Sequence, residues 1–354
     1  MITLENLEIE IANEIRNYRK EELSFTIDDE HVDKWVKQFD KDSRVPILNE
    51  MKHLINQLYI KKSDIKQYID EILSETKIFT NNPQNELKKI QFLDIQSKGS
   101  SQTNLLKLLN DKVFKSYSTK ININNSTQIS KYIYIDDGLF SGSTLRHDIE
   151  KWVETANENT ELHIIFLCVY SNGYWYSEKK IKELCAPHNI NVNFWWCAKL
   201  DNFTKNNYGI LNYDCFWPQQ VSDENCDDYM LSLQTEASSK GYATFKGYRN
   251  FSCTSSIFSS DISRSILESE FMKAGSYIMT LPNEKNTSMR PMGYDYLTSV
   301  GFGAFFVSYL NISNNCPLAL WWGDSTKPNS HPFSKWYPLF PRKPNESGGN
   351  FIEW

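Results

Sequence analysis

One fourteen-residue segment, from Tyr132 to Leu145, carries residue types that suit a sugar phosphate. An apolar run ends there in Asp136 and Asp137, and small and hydroxyl residues follow. Amides at the start of a helix, together with serine and threonine hydroxyls, form a nest for a phosphate dianion. Carboxylates so close to a phosphate suit the hydroxyls of a sugar, or a Mg²⁺ ion that bridges to them. The sequence therefore predicts a cradle for ribose 5-phosphate at residues 135–144.

The expected phosphate ligands follow the two aspartates directly. They are Gly138, Phe140, Ser141, Gly142, Ser143 and Thr144. Gly142 is expected to let the backbone approach the anion closely, and Gly138 is expected to provide a turn with positive φ. The alternative interpretation is an ordinary strand–turn–helix connection in which a serine caps the helix.

The surrounding elements would place this segment at one edge of a sheet. Strand-like runs at 90–95, 131–135, 162–170 and 192–198 alternate with amphipathic helical stretches. This order predicts an α/β fold with a parallel sheet flanked by helices. Right-handed crossovers bring the loops after the strands to one edge, where ligands of such sheets bind. The polar loop at 96–102 and the segment at 136–144 should therefore lie together.

Three regions are expected along the chain. Residues 1–80 form a helical N-terminal region, in which Asp28 and Asp29 cap a helix, and residues 81–200 form the core. Residues 201–354 form an aromatic-rich extension that packs on the acceptor side of the core. Trp321, Trp322 and Trp336 of this extension either pack its interior or line an acceptor pocket.

The segment resembles the PRPP-binding signature of type I phosphoribosyltransferases, with Ser141 and Ser143 in place of the more usual threonine and glycine. The resemblance implies a type I phosphoribosyltransferase-like fold, in which Asp136 and Asp137 hold the ribose 2- and 3-hydroxyls and residues 140–144 bind the 5-phosphate. It also implies Mg²⁺ as cofactor, held through the two aspartates.

The same resemblance gives a role to the earlier loop. The corresponding loop of those enzymes binds pyrophosphate, and here its residues are Ser97, Lys98, Gly99 and Ser100. Lys98 would stabilise the charge of the leaving group and act with Asp136 and Asp137 as the catalytic set. Residues 113–127 form either a mobile hood over the site or a plain surface loop.

Over most of its length the chain is similar to a phosphoribosyltransferase-like family of bacterial conflict and antiphage systems, some of them linked to retrons. The similar segments lie at 35–39, 132–145, 214–218, 315–317, 321–322 and 336–342. The resemblance implies a PRPP-dependent transferase that acts as a toxin effector in antiviral defence, with a protein partner from the same operon. A non-catalytic ribose-phosphate sensor and a glycohydrolase-type toxin acting on nucleotides or NAD are the alternatives.

The composition bears on nucleic-acid binding, on disulfide bonds and on membrane association. The net charge is -6, from 38 Lys and Arg against 44 Asp and Glu, and it gives no support for a nucleic-acid acceptor, which the resemblance leaves open. The seven cysteines are dispersed, which is typical of reduced thiols. No apolar run reaches 18 residues and the first residues are acidic, so we expect a cytoplasmic protein with no membrane partner.

Overall fold

The computed structural model describes residues 3–80, 82–97, 99–125, 129–203, 212–242, 245–282, 286–295 and 297–343. These residues form two compact units. One unit combines residues 3–61 with residues 212–343, and the other is residues 62–203. The N-terminal helices are thus grouped with the C-terminal segment. The packing of residues 201–354 on the acceptor side of the core stays a prediction.

The N-terminal part of the first unit is helical. Its helices are α1 (Leu4–Ile15), α2 (Asp29–Val36) and α3 (Arg44–Leu58). The predicted cap of α2 is confirmed, because the carboxylate of Asp28 accepts a hydrogen bond of 3.0 Å from the amide of His31. Trp35 of α2 is fully buried, and its indole N–H donates to the carbonyl of Ala319 at 2.9 Å.

The second unit alternates helices and strands. Its helices are α4 (Lys62–Ser74), α5 (Thr76–Phe79), α6 (Pro83–Glu86), α7 (Ser101–Tyr117), α8 (Ser143–Val153) and α9 (Ser171–Cys185). Its strands are β1 (Ile90–Leu93), β2 (Asn122–Ile123), β3 (Lys131–Leu139), β4 (Glu161–Tyr170) and β5 (Asn191–Leu200). The five strands form one sheet in the order β2-β1-β3-β4-β5.

Every pairing in this sheet is parallel. The two central strands, β3 and β4, are buried along almost their whole length, as apolar strands covered on both faces should be. Apolar side chains of α8 and α9 pack with those of the sheet in one core. The predicted α/β fold with a parallel sheet flanked by helices is confirmed.

Three predicted boundaries in this unit were wrong. Strand β3 continues past Ile135 to Leu139, because Asp136, Gly138 and Leu139 still pair with β4. Helix α9 begins at Ser171, whereas the sequence pattern predicts a helix that begins only at Glu178. Residues 113–117, placed in the predicted hood, are the last turns of α7. Residues 126–128 of that hood lie outside the described residues.

The C-terminal part of the first unit holds two long helices. Its elements are α10 (Glu224–Ser239), α11 (Asp261–Thr280), β6 (Met289–Arg290), β7 (Gly293–Tyr294) and α12 (Leu318–Trp321). Helix α11 passes through Gly275 and ends at Thr280, although a glycine at this place in the sequence predicts a helix end. A Cβ at Gly275 would lie 2.6 Å from the carbonyl oxygen of Pro291, so the glycine permits a close approach of backbone instead.

The aromatic residues of the C-terminal segment pack its interior. Trp321, Trp322 and Trp336 are 8%, 2% and 4% exposed, and the indole N–H of Trp336 donates to the carbonyl of Ala319. These contacts favour the packing role over an acceptor pocket. None of the helices in the described ranges is both long enough and apolar enough to cross a bilayer.

Candidate functional site

The two predicted loops meet at the carboxyl edge of the sheet. Strands β1 and β3 are neighbours, and each is followed by a short connection and then by a helix. The first connection, residues 94–100, leads into α7, and the second, residues 140–142, leads into α8. Ligands of open parallel sheets bind at this edge. The sheet order thus brings together the segments that the sequence singled out.

Asp136 joins the two segments. Its carboxylate is 6% exposed and accepts hydrogen bonds from the hydroxyl of Ser101 at 2.5 Å and from the side-chain amide of Gln96 at 2.9 Å. The backbone N–H of Asp137 donates to the same carboxylate at 2.8 Å. Asp137 itself is only half-buried. Asp137 also interacts with the backbone of Gly138 and with Ser101, so the two acids share a donor and differ mainly in that Asp137 is the more exposed residue.

Burial raises the pKa of the Asp136 carboxyl well above its ordinary value, and the neighbouring charge of Asp137 adds to this effect. The hydroxyl of Ser101 acts in the opposite direction by donating to the ionised form. Burial also raises the pKa of Asp137. A bound cation or a set of hydroxyl donors would offset the cost of holding both groups ionised.

The loop after β1 is held by two buried side chains. The side-chain oxygen of Gln102 accepts hydrogen bonds from the amides of Ile95 at 2.7 Å and Gln96 at 2.9 Å. The amide of Ser97 donates to the Asp148 carboxylate on α8 at 3.2 Å. This loop is therefore fixed to its own helix and to the helix of the neighbouring segment.

The predicted pyrophosphate ligands lie on this fixed loop. Ser97 and Ser100 are exposed, and Ser100 is the cap residue of α7. Gly99 has a φ of 102°, which a residue with a side chain rarely adopts. Lys98 lies outside the described residues, so its role stays a prediction.

The loop after β3 turns into α8 at Gly142, whose φ of 70° lies in the left-handed region. The first backbone hydrogen bond of α8 runs from Arg146 to Gly142. The amides of residues 143–145 therefore have no carbonyl partner within the helix. The hydroxyl of Ser141 accepts from the amide of Ser143 at 3.3 Å, while the side chains of Ser143 and Thr144 are exposed.

Arg146 and Ser177 hold this loop from the outside. The guanidinium of Arg146 donates to the carbonyl of Ser141 at 2.8 Å and to the hydroxyl of Ser177 at 2.9 Å. A Cβ at Gly142 would lie 1.8 Å from that hydroxyl oxygen. Glycine is thus required here by the contact with α9 as well as by the backbone conformation.

Two of the predicted phosphate ligands, Gly138 and Phe140, lie in local environments that differ from the predicted ones. Gly138 lies within β3, paired with Cys168, so the turn with positive φ is at Gly142 and not at Gly138. The ring of Phe140 packs against the ring of Tyr170 in an edge-on contact at 5.0 Å. A Cβ at Gly173 would lie 1.7 Å from the carbonyl oxygen of Phe140, so α9 fixes the backbone of the loop there.

The fit of a metal ion can be judged from the carboxylates. Within the described part of the chain, no three His, Cys, Asp or Glu side chains are grouped so that they could hold an ion. The Asp136 carboxylate already accepts three hydrogen bonds. Mg²⁺ commonly uses one or two carboxylates, several waters and the phosphates of a substrate. The site therefore fits an ion that arrives with its substrate, with Asp137 as a contact.

Sequence reasoning missed several residues of the site. Gln96, Ser101 and Gln102 lie in the predicted polar loop but were given no role of their own. The partner of Gln96 and Ser101, Asp136, is brought near only by the order of the strands, and Gln102 acts locally on the amides of Ile95 and Gln96. Asp148 did carry a signal in the sequence, because it is an acid within the apolar stripe of α8. In the structure it is 3% exposed. A buried acid in such a stripe indicates a specific hydrogen-bond partner.

Replacing Gly142 with alanine should lower the free energy of unfolding by about 2–4 kcal/mol. This loss combines the cost of placing alanine in the left-handed backbone region with the cost of overpacking its Cβ against α9. Urea denaturation would measure this loss. In the Gly142→Ala, Ser177→Ala double variant, the steric part should be relieved and the part due to the backbone should remain. Equal destabilisation of the single and double variants would contradict the contact between the loop and α9.

Fold and site together define an α/β protein in which a central parallel strand delivers two acidic residues and a glycine-hinged loop to the start of a helix. A model of the PRTase-CE family matches residues 32–342, and the chain belongs to this phosphoribosyltransferase-like family. Comparison with curated proteins gives no match.

Among solved structures, the adenine phosphoribosyltransferase of Leishmania donovani is similar to part of the chain. The match has 13% sequence identity and a TM-score of 0.26, and it covers 48% of this chain and 78% of that chain.

Proposed function

We propose that the protein binds PRPP and transfers its phosphoribosyl group to an acceptor, with release of pyrophosphate. The observation that carries the proposal is the connection between β3 and α8. There, a half-buried carboxylate, exposed hydroxyls and the first amides of a helix lie within one short segment of the chain. This arrangement suits a ligand that has a diol at one end and a phosphate at the other.

The 5-phosphate would bind at the start of α8. The amides of residues 143–145 precede the first hydrogen bond within the helix, and the helix dipole favours negative charge at that end. The exposed hydroxyls of Ser143 and Thr144 would add two donors. Ser141 would act mainly by shaping the loop, because its carbonyl and hydroxyl both accept hydrogen bonds from neighbouring residues.

The ribose would bind through Asp137. Its half-buried carboxylate would accept hydrogen bonds from the 2- and 3-hydroxyls, and such bonds to a charged acceptor are stronger than those between neutral groups. Asp136 accepts hydrogen bonds from Ser101 and Gln96, so we assign it chiefly to positioning the two loops. The sequence-based prediction gave both acids to the ribose, and this division of roles refines it.

The pyrophosphate would lie against the loop at 96–102, with Lys98 as its cationic contact. In the reaction, the bond between C1 and the pyrophosphate oxygen breaks, and the electron pair leaves with pyrophosphate. The lone pair of the acceptor forms the new bond to C1, and the acceptor loses its proton. Mg²⁺ bound with PRPP would neutralise charge on the leaving group. The chain's own contribution is to hold the ribose and both phosphate ends in place.

Incubation of the full chain with PRPP, Mg²⁺, NAD and a mixture of nucleotides, followed by mass spectrometry, tests the function. We expect PRPP to be consumed, pyrophosphate to appear, and one acceptor to gain a phosphoribosyl group. Ribose 5-phosphate without an adduct would favour the hydrolase alternative, and PRPP binding without turnover would favour the sensor. The proposal would be contradicted if the protein neither bound PRPP nor turned it over.

Asp148 should position the pyrophosphate loop through the amide of Ser97. We expect Asp148→Ala to weaken pyrophosphate binding by ~10-fold, the worth of one hydrogen bond to a charged group, while ribose 5-phosphate binding changes little. Asp148→Asn keeps an acceptor oxygen and should keep most of the affinity. Calorimetric titration with each ligand measures both effects. Equal losses in the two variants, or for the two ligands, would contradict this role.

The biological role remains part of the proposal. The resemblance to the phosphoribosyltransferase-like family of bacterial conflict systems supports an effector of antiphage defence, linked to a retron and to a protein partner from the same operon. In that setting the acceptor would be a nucleotide, a nucleic acid or a protein of the infected cell.

A further inference from the structure

A cavity lies in the unit formed by residues 3–61 and 212–343. Its volume is about 380 Å³, and the chain from Arg16 to Ile27, between α1 and α2, lines it. We call it the α1–α2 pocket. Ligand pockets commonly occupy about 300–1,000 Å³, so this one is large enough for a small metabolite.

The loop around the pocket has a fixed conformation. Arg19 adopts a φ of 45°, its amide donates to the carbonyl of Tyr309, and its guanidinium donates to the carbonyl of Pro341 at 2.7 Å. The fully buried Tyr18 donates its hydroxyl to the same Pro341 carbonyl at 3.0 Å. The loop therefore frames the cavity without needing a ligand to order it.

The polar side chains that line the pocket are all hydrogen-bond donors or neutral groups. They are Arg16, Asn17, Tyr18, Lys20, Ser24 and Thr26, and no carboxylate is among the lining residues of the described chain. The nearby carboxylate of Glu22 is paired with Arg19 and Lys343. Two exposed cationic residues, Arg16 and Lys20, thus border one cavity in a chain whose net charge is -6.

The cations of the pocket differ from most of those around them. On the same unit, Lys34, Lys37, Lys52 and Lys61 form ion pairs with neighbouring acids. Within the described residues, the side chains of Arg16, Lys20, Ser24 and Thr26 make no ion pair or hydrogen bond. Donors with no partner in the protein, gathered at one cavity, are suited to an anion with several acceptor oxygens.

An aromatic ring adds a second element of recognition. Phe25 is partly buried in the wall of the pocket, and its ring stacks on the imidazole of His31 with a centroid distance of 5.4 Å. His31 is itself fixed by hydrogen bonds to Tyr337 and Leu339. A rigid ring beside a cationic donor set favours a ligand that combines a phosphate with a planar base.

We propose that the α1–α2 pocket binds a nucleoside monophosphate, separately from the site at the sheet edge. The phosphate would contact Arg16, Lys20 and the hydroxyls of Ser24 and Thr26, and the base would lie against Phe25. This inference does not depend on the proposed transferase activity. The unit formed by residues 3–61 and 212–343 would then bind a ligand of its own.

Calorimetric titration with AMP tests the proposal in a chain that carries Thr144→Asp, which should close the first site to phosphates. We expect one AMP to bind per chain. The added Arg16→Glu and Lys20→Glu changes should reduce the affinity at least ~10-fold, because each reverses a charge beside the phosphate. Adenosine and ribose 5-phosphate, which each lack one recognised group, should bind more weakly than AMP.

The matched control is Lys327→Glu with Lys335→Glu, which makes the same change in net charge at exposed lysines of the same unit that do not line the pocket. This pair should leave AMP binding within ~2-fold, since exposed charges beyond a Debye length are largely screened. Absence of AMP binding in the Thr144→Asp chain would overturn the proposal. So would equal losses in the two charge-reversed pairs. Failure of Thr144→Asp to weaken PRPP binding would count against the first site alone.

Discussion

Replacing Thr144 with aspartate should reduce the affinity for ribose 5-phosphate and for PRPP by ~100-fold. The new carboxylate would stand at the exposed second position of α8, beside the proposed phosphate. Two unit charges about 4 Å apart repel by about 1 kcal/mol in bulk water and about 4 kcal/mol near a protein surface. An acid in the first turn also favours the helix, so the fold should keep its stability.

Ser63→Asp is the matched control, because Ser63 is the exposed second residue of α4 in the same unit. It adds the same charge at the same helical position and should leave ligand affinity within ~2-fold, because solvent and salt screen a charge that is remote from the ligand. Calorimetry would measure binding, and thermal unfolding would check the fold. Equal affinities of the Thr144→Asp variant and the wild type would place the phosphate elsewhere.

Replacing Asp137 with asparagine should weaken PRPP binding by ~10- to 100-fold, since hydrogen bonds to a charged group are worth about 1.5–3 kcal/mol. The half-buried carboxylate would lose its charge and one acceptor oxygen, and the amide could no longer accept from two ribose hydroxyls with equal strength. Inorganic phosphate, which has no diol, should bind equally to the variant and the wild type. Calorimetry with the two ligands separates these contributions.

Asp111→Asn, at an exposed acid on α7, removes the same charge in the same unit and should change neither affinity. If Asp137→Asn leaves PRPP binding intact, the ribose is not held by this carboxylate. If it weakens phosphate as strongly as PRPP, the change acts on the loop and not on the diol.

Much of the sheet unit could be predicted from the sequence because its signals are local. The apolar run of β4 and the stripe of α8 depend on residues close together in the chain, and both elements form where expected. The chain after β4 was harder to predict. Helix α9 begins at Ser171, seven residues before the predicted start at Glu178, and Gly173 inside it lets the helix approach the carbonyl of Phe140.

Long-range organisation could not be predicted in the same way. The indole of Trp35 donates to Ala319, 284 residues further along the chain, and the imidazole of His31 contacts the carbonyl of Leu339. No periodicity near residue 30 indicates such partners. The same holds for Asp136, whose hydrogen bonds to Gln96 and Ser101 arise because β1 lies beside β3. The sequence singled out Asp136 and Asp137, and the strand order determines their surroundings.

A crystal structure of the protein soaked with ribose 5-phosphate would show directly whether the start of α8 holds the phosphate. We expect the phosphate oxygens to lie within hydrogen-bonding distance of the amides of residues 143–145 and of the Thr144 hydroxyl, with the ribose hydroxyls on Asp137. A sugar phosphate bound at another place on the sheet unit, or no bound ligand at concentrations that saturate the protein in solution, would contradict this expectation.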